Sequence, residues 1–222
     1  NLFGCGEAGY LRCRRRLRKP STGGAGRRST EKYLFAGIVP AGRMYDLCKE
    51  DLRINFHTMR TGIFYGSTTG MTESLAAKIA ARTGVAQTDV HNVADASADE
   101  AEGYDLLLLG SSTWGCGELQ DDWYDFLDAL KRKALSGKRV ALFGCGDSAS
   151  YPDSFCDALS EIRDGLEATG CTFVGALDAA EYDGCTSRIC RDGKVIGLAV
   201  DDGASEAVSD ARMEKWIAAV GF

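Results

Sequence analysis

The chain has 222 residues, 45% of them hydrophobic and 26% charged, which is ordinary globular composition with enough length for one well-formed core. Its purest apolar run, residues 106–109, falls far short of the roughly 18 residues that a membrane-spanning helix needs. The net charge of -6 hides two opposite parts: residues 1–58 hold 12 Lys/Arg against 5 Asp/Glu, and the rest holds 14 against 27. The acidic part is repelled by nucleic acid and anionic membranes and is suited to basic protein surfaces.

The nine cysteines form no CxxC pair and no regular framework, so a reducing, cytoplasmic setting is expected. His57 and His91 are not spaced as metal ligands beside cysteines, and no metal site is expected.

In chain order, residues 1–58 carry a basic run at 12–19 and a Gly/Ser-rich stretch at 20–29. They read as a basic extension, poorly ordered or not native, with Met59 as the start of the folded domain at 59–222. A transit peptide or an anionic-surface tether is the functional alternative, but the amphipathic pattern of a targeting helix is missing. Residues 33–56 contain enough apolar positions for a short helix.

Beyond Met59 strands and helices alternate. The pattern predicts a strand at 61–65 and a helix at 73–82 with Leu75, Ile79 and Ala80 on one face. A strand at 86–91, a helix at 98–102, a strand at 104–109 and a helix at 122–130 follow. The last units are a strand at 139–143, a helix at 154–169 and a strand at 172–177. Residues 106–109 and 140–143 are apolar at every position, as parallel strands covered on both faces require. The fold class is therefore α/β, a doubly wound five-stranded parallel sheet, and its chemistry belongs in the loops at the carboxyl ends of the strands.

Three loops stand at such ends. The first, Gly66-Ser67-Thr68-Thr69-Gly70-Met71-Thr72-Glu73, offers hydroxyls, backbone N–H groups and a helix N-terminus, which together suit a phosphate. It lacks the Gly-Lys-Ser/Thr of a nucleoside triphosphate loop and has no basic residue, so a single terminal phosphate held by neutral donors fits it best. A Ser/Thr-rich helix cap is the bland alternative. The second loop, Ser111-Ser112-Thr113-Trp114-Gly115-Cys116-Gly117-Glu118-Leu119, holds a tryptophan among small residues, either a stacking wall for a planar ring or a plug at the sheet edge. The third, Gly144-Cys145-Gly146-Asp147-Ser148-Ala149-Ser150-Tyr151, brings backbone amides close to a ligand and offers Tyr151 as a second ring face.

Residues 66–73, 113–123 and 143–155 closely resemble the three FMN loops of flavodoxins, and the resemblance runs from Arg60 to the C-terminus. Residues 182–200 resemble the insertion that splits the last strand in the long-chain class, and the strand order 2-1-3-4-5 comes with the resemblance. It implies a low-potential one-electron carrier that binds FMN non-covalently, with no catalytic residue, and shuttles electrons between redox proteins.

Carried over by position, the phosphate loop is Ser67, Thr68, Thr69, Gly70, Met71 and Thr72. The flanking aromatics are Trp114 and Tyr151. Ring-edge contacts fall to Gly115, Cys116, Gly117, Cys145, Gly146 and Asp147, with Ser112, Thr113 and Ser154 completing the set. Ser154 and Cys156 stand where the family often has Asn and Gln, and Met71 where Asn, Gln or Lys is common. The resemblance places Gly115 and Cys116 beside flavin N5, and since glycine tolerates positive φ, the Gly115 carbonyl is expected to turn and accept a hydrogen bond from the N5–H formed on one-electron reduction. Expected partners are redox proteins with basic docking surfaces, of the flavodoxin/ferredoxin reductase type and electron acceptors, and the expected state is a monomer.

Two other classes share the topology. A flavodoxin-like NAD(P)H:quinone reductase needs basic residues near the loops for a second nucleotide and an open flavin face. A phosphorylated receiver module needs acidic residues after the first strand and an Asp after the third, where this chain has Gly66, Ser67, Thr68 and Thr69, and Ser111, Ser112 and Thr113.

Overall fold

A computed structural model describes residues 59–182 and 185–222. The expectations for residues 1–58 lie outside them. Among the described residues the parallel strands are β1 (Thr61–Gly66), β2 (Val90–Asn92), β3 (Leu106–Trp114) and β5 (Arg139–Gly146). A short β4 (Glu118–Leu119) folds back antiparallel on β3.

The last strand comes in two pieces. β6 (Thr172–Val174) pairs with the first half of β5 and β10 (Leu198–Asp201) with its second half. Between them β7 (Leu177–Asp178), β8 (Cys190–Arg191) and β9 (Lys194–Val195) form a separate antiparallel sheet in the order β7-β9-β8. The main order β2-β1-β3-β5-β10 is the expected 2-1-3-4-5, with the final strand interrupted.

Four helices cover the sheet: α1 (Met71–Thr83), α2 (Asp122–Leu130), α3 (Ala158–Leu166) and α4 (Glu206–Val220). α1 turns Leu75, Ala76, Ile79 and Ala80 inward, as the 3.6-residue period requires. Ion pairs from Lys78 to Glu206 (3.0 Å) and from Arg82 to Asp210 (2.7 Å) link α1 with α4. These pairs are exposed and each contributes at most about 1 kcal/mol. The main stabilisation is burial: Leu106, Leu107, Leu108 and Leu109 are all fully buried, which covering layers on both faces achieve. Among the described residues no helix is long and apolar enough to cross a membrane.

Several expected boundaries move. The helix at 98–102 is a single 3-10 turn, Glu100–Gly103, too short and polar to propagate. The helix expected from 154 starts at Ala158, because Pro152–Ser154 is a separate 3-10 turn and Cys156 has φ 54. The strand at 172–177 breaks after Val174, since the chain turns at Gly175 with φ 78. The insertion therefore spans 175–197, and residues 198–200 belong to the last strand itself.

Trp123 joins α2 to the end of the sheet. It is fully buried and its Nε1–H donates to the Gly110 carbonyl at 2.8 Å. Trp123→Phe leaves that carbonyl without its donor, so a loss of about 1–3 kcal/mol is expected. Urea unfolding of the variant measures it, and an unchanged midpoint would show that the bond contributes nothing.

Candidate functional site

β1 ends beside the later part of β3 and β5, which run on two to three residues further. Gly66 pairs with Ser111, Ser111 with Gly144, and Ser112 with Cys145, so three loops leave the sheet side by side. Close packing requires glycine in this row: a Cβ on Gly66 would lie 2.5 Å from Trp123 Cδ1, and one on Gly144 2.6 Å from the Ser111 carbonyl.

The loop after β1 leads into α1. Ser67 Oγ accepts from the Gly70 N–H at 3.1 Å, closing the turn, and Gly70 caps α1 with no side-chain bond. The first N–H groups of α1 thus face outward beside the Thr72 hydroxyl, which is buried with no hydrogen-bond partner.

The loop after β3 is the tip of the β3–β4 hairpin. Trp114 is paired with Glu118, and the Gly117 N–H closes the turn on the Trp114 carbonyl at 3.0 Å. Gly115 has φ 50, in the left-handed region where a side chain is disfavoured. Trp114 is 43% exposed, and its indole N–H donates to Ser112 Oγ at 3.1 Å. The Thr113 hydroxyl is buried without a partner.

In the loop after β5, Asp147 accepts from the N–H groups of Ala149 (3.0 Å) and Ser150 (2.9 Å). The Ser150 hydroxyl and these amides hold its carboxyl below the usual range. Tyr151 then projects with 60% of its surface exposed.

These loops enclose a cavity of about 600 Å³, within the usual range for a small-ligand site. It brings together Thr69, Met71, Ser112, Thr113, Trp114, Gly115, Cys116, Cys145, Gly146, Asp147, Tyr151 and Ser154. Of the other expected residues, Ser67, Thr68 and Gly70 stand in the adjoining β1–α1 loop, Thr72 in the first turn of α1, and Gly117 against Asp157.

Three further residues line the cavity: Phe155, the last of the segment 143–155, Cys156, already set apart beside Ser154, and Asp202, which escapes the sequence reading. Asp202 follows the carboxyl end of β10, so applying the strand-end rule to the last strand would have found it. Partial desolvation at the cavity wall, with the carboxylates of Asp201 and Asp147 nearby, raises the carboxyl of this exposed residue above the usual range. The signal for Phe155 and Cys156 is their place at the end of, and directly after, the segment 143–155. Among the cavity residues named here none is basic, and its charges are the carboxylates of Asp147 and Asp202.

A doubly wound sheet with a split last strand, three adjacent loops and a cavity lined by two aromatic residues defines an α/β protein with a cleft at its switch point. The family model described as Flavodoxin matches residues 63–216. Flavodoxin 1 of Salmonella typhimurium is 46% identical over 158 residues, which cover 71% of this chain and 90% of that protein. Flavodoxin 1 of Escherichia coli strain K12 is 45% identical with the same coverage. A crystal structure of Fusobacterium nucleatum flavodoxin bound to flavin mononucleotide matches with a TM-score of 0.63 and 29% identity, covering 72% of this chain and 96% of that one. This chain belongs to the flavodoxin family.

The thiols around the cavity differ sharply. Cys116 is exposed at the hairpin tip, whereas burial and the nearby Asp202 push Cys145 up to about 12, and Cys156 is fully buried. A thiol is nucleophilic as its thiolate, so at pH 8 maleimide should label Cys116 and spare Cys145 and Cys156 until the protein unfolds. Peptide mass spectrometry distinguishes the sites, and early labelling of Cys145 would contradict this arrangement.

Proposed function

We propose that residues 59–222 form an FMN-binding domain and that the chain is a low-potential one-electron carrier working between redox proteins. The observation that carries this reading is the cleft, lined by both Trp114 and Tyr151 and adjoined by a cation-free β1–α1 loop.

The residues fit the cofactor. A flat ring suits the two aromatic walls. The buried, unpartnered hydroxyls of Thr72 and Thr113 and the uncapped N-terminus of α1 are neutral donors for a phosphate monoester and ribityl chain. Ser67, Thr68, Thr69, Gly70, Met71 and Thr72 are assigned to the phosphate, and Ser112, Thr113 and Ser154 to the chain. Gly115, Cys116, Gly117, Cys145, Gly146 and Asp147 are assigned to the ring edge. Bound FMN supplies one-electron redox chemistry.

The protein tunes that chemistry through its backbone and its charge. Gly115 already has positive φ, so its peptide can present a carbonyl to the ring edge at little conformational cost. A carboxylate about 10 Å from the ring opposes added negative charge by roughly 0.4–1.7 kcal/mol before screening. Asp147 and Asp202 in the cavity wall therefore favour a low potential.

Mixing apoprotein with FMN should quench the flavin fluorescence at one equivalent, and Thr72→Val should weaken binding by about tenfold, the effect of losing a buried charge-assisted hydrogen bond. Electrochemical titration of the complex should give two one-electron steps, the lower rising with ionic strength. Failure of the wild-type chain to bind FMN would sink the proposal. The reductase alternative would instead show NADPH consumption by the protein alone.

Partners are proposed to be proteins with basic docking surfaces, such as reductases of the flavodoxin/ferredoxin type and electron acceptors, met by a monomer in the cytoplasm. Exposed Glu118, Asp121, Asp122 and Asp153, with half-buried Asp147, supply the acidic rim. Asp122 is best left intact in a test, because it accepts from Nε2 of buried Gln120 at 2.7 Å. Reversing Glu118 and Asp121 to Lys should slow low-salt electron transfer to a basic partner while leaving FMN affinity nearly unchanged, since rim charges act on association rate. An unaltered rate in stopped-flow measurements would exclude docking by this rim.

A further inference from the structure

Asp157 is a carboxylate with 3% of its surface exposed, directly before α3. An Asp in this position ordinarily caps its own helix, but Asp157 makes no such bond. Its Oδ1 instead accepts from the backbone N–H of Arg188 at 2.8 Å, and the N–H of Ile189 is also directed at the carboxylate. Both donors belong to the insertion between β7 and β8. The neighbouring Ser187 hydroxyl donates to the Phe155 carbonyl at 2.8 Å, fastening the same segment one residue earlier.

Two parts of the cleft rest on this carboxylate. Cys156, its neighbour, is fully buried, lines the cavity and holds φ 54, a conformation that residues with a side chain adopt rarely and only when their surroundings impose it. On the other side Gly117 packs so closely that a Cβ there would lie 2.8 Å from Asp157 Cβ. Gly117 closes the turn that carries Trp114, Gly115 and Cys116.

We propose that Asp157 is a positioning residue for the FMN cleft: anchored on the insertion backbone, it holds Cys156 in its left-handed conformation and supports the hairpin tip at Gly117. The inference rests on the FMN reading of the cleft. Asp157 is not among the residues that line the cavity; it acts through the two walls it fixes. A carboxylate suits the role because it accepts from two backbone N–H groups at once, and burial makes each unmade bond costly.

Three variants of the full chain test this: Asp157→Ala, Asp157→Asn and Arg188→Ala. The last removes the exposed side-chain pairs of Arg188 with Glu161 and Asp164 but keeps its backbone N–H. Each is measured for FMN dissociation constant, for the two potentials of the complex, and for the amide 15N–1H shifts of Gly117 and Cys156 in the apoprotein. Asp157→Ala should weaken FMN by about tenfold, move the first potential and displace both amide signals, because two backbone donors lose their buried acceptor. Asp157→Asn keeps one acceptor oxygen and should recover part of the effect, to a loss of about threefold. Arg188→Ala should stay within about twofold of wild type, as removal of exposed ion pairs does.

Wild-type affinity, potentials and amide positions in Asp157→Asn would overturn the proposal, as would an Arg188→Ala effect equal to that of Asp157→Ala. If Asp157→Ala does not fold, Asp157→Asn decides alone, a measurable loss supporting the role and wild-type behaviour ending it. If the wild-type chain binds no FMN, the functional reading fails separately. The Gly117 and Cys156 amide shifts then still test whether Asp157 holds the two walls.

Discussion

The site depends on one row of backbone pairing. Gly66, Ser111 and Gly144 lie side by side across β1, β3 and β5, and their register is set by parallel hydrogen bonding along apolar strands buried on both faces. A slip of one residue would move each side chain to the opposite face and would shift one loop along the sheet against its neighbours. The cleft is thus a consequence of core packing. The same row shows why side chains shrink where the loops begin, since Trp123 and the Ser111 carbonyl already occupy the space a Cβ would need.

Electrostatics complements this geometry. The β1–α1 loop, with no cation of its own, offers backbone N–H groups and the Thr72 hydroxyl, while Asp147 and Asp202 stand in the cavity wall. Neutral donors can hold a phosphate without cancelling its charge, so a bound cofactor stays in a negative field. Such a field disfavours further electrons and leaves the outer rim free to attract basic surfaces. One distribution of charge therefore bears on both the potential and the docking of redox partners.

The insertion between β6 and β10 is fastened to the sheet domain by bonds that march along one segment. Thr186 reaches Asp153, Ser187 reaches Phe155, the Arg188 backbone reaches Asp157, and Arg191 pairs with Asp164 on α3. Splitting the last strand also lets β6 and β10 each pair with half of β5, so the interruption removes no edge from the sheet.

Much of this was legible in the sequence. Helix 122–130 matches α2 residue for residue, because Trp123, Phe126, Leu127 and Leu130 repeat at helical spacing. Residues 106–109 announce a doubly covered strand by being apolar throughout, and the Gly, Ser and Thr clusters mark the loops. Apolar periodicity could not show that β3 runs on to Trp114, for residues 110–113 are small or polar and are strand only through pairing with β1, β5 and β4. Nor could it foresee Asp202, Phe155 and Cys156 in one wall, or Asp157 bonded to Arg188 across 31 residues of chain. Periodicity reports which face of an element seeks the core, a local property. Which loops meet, and which buried carboxylate finds which amide, is decided only when segments distant in sequence pack together and each buried polar group must find a partner.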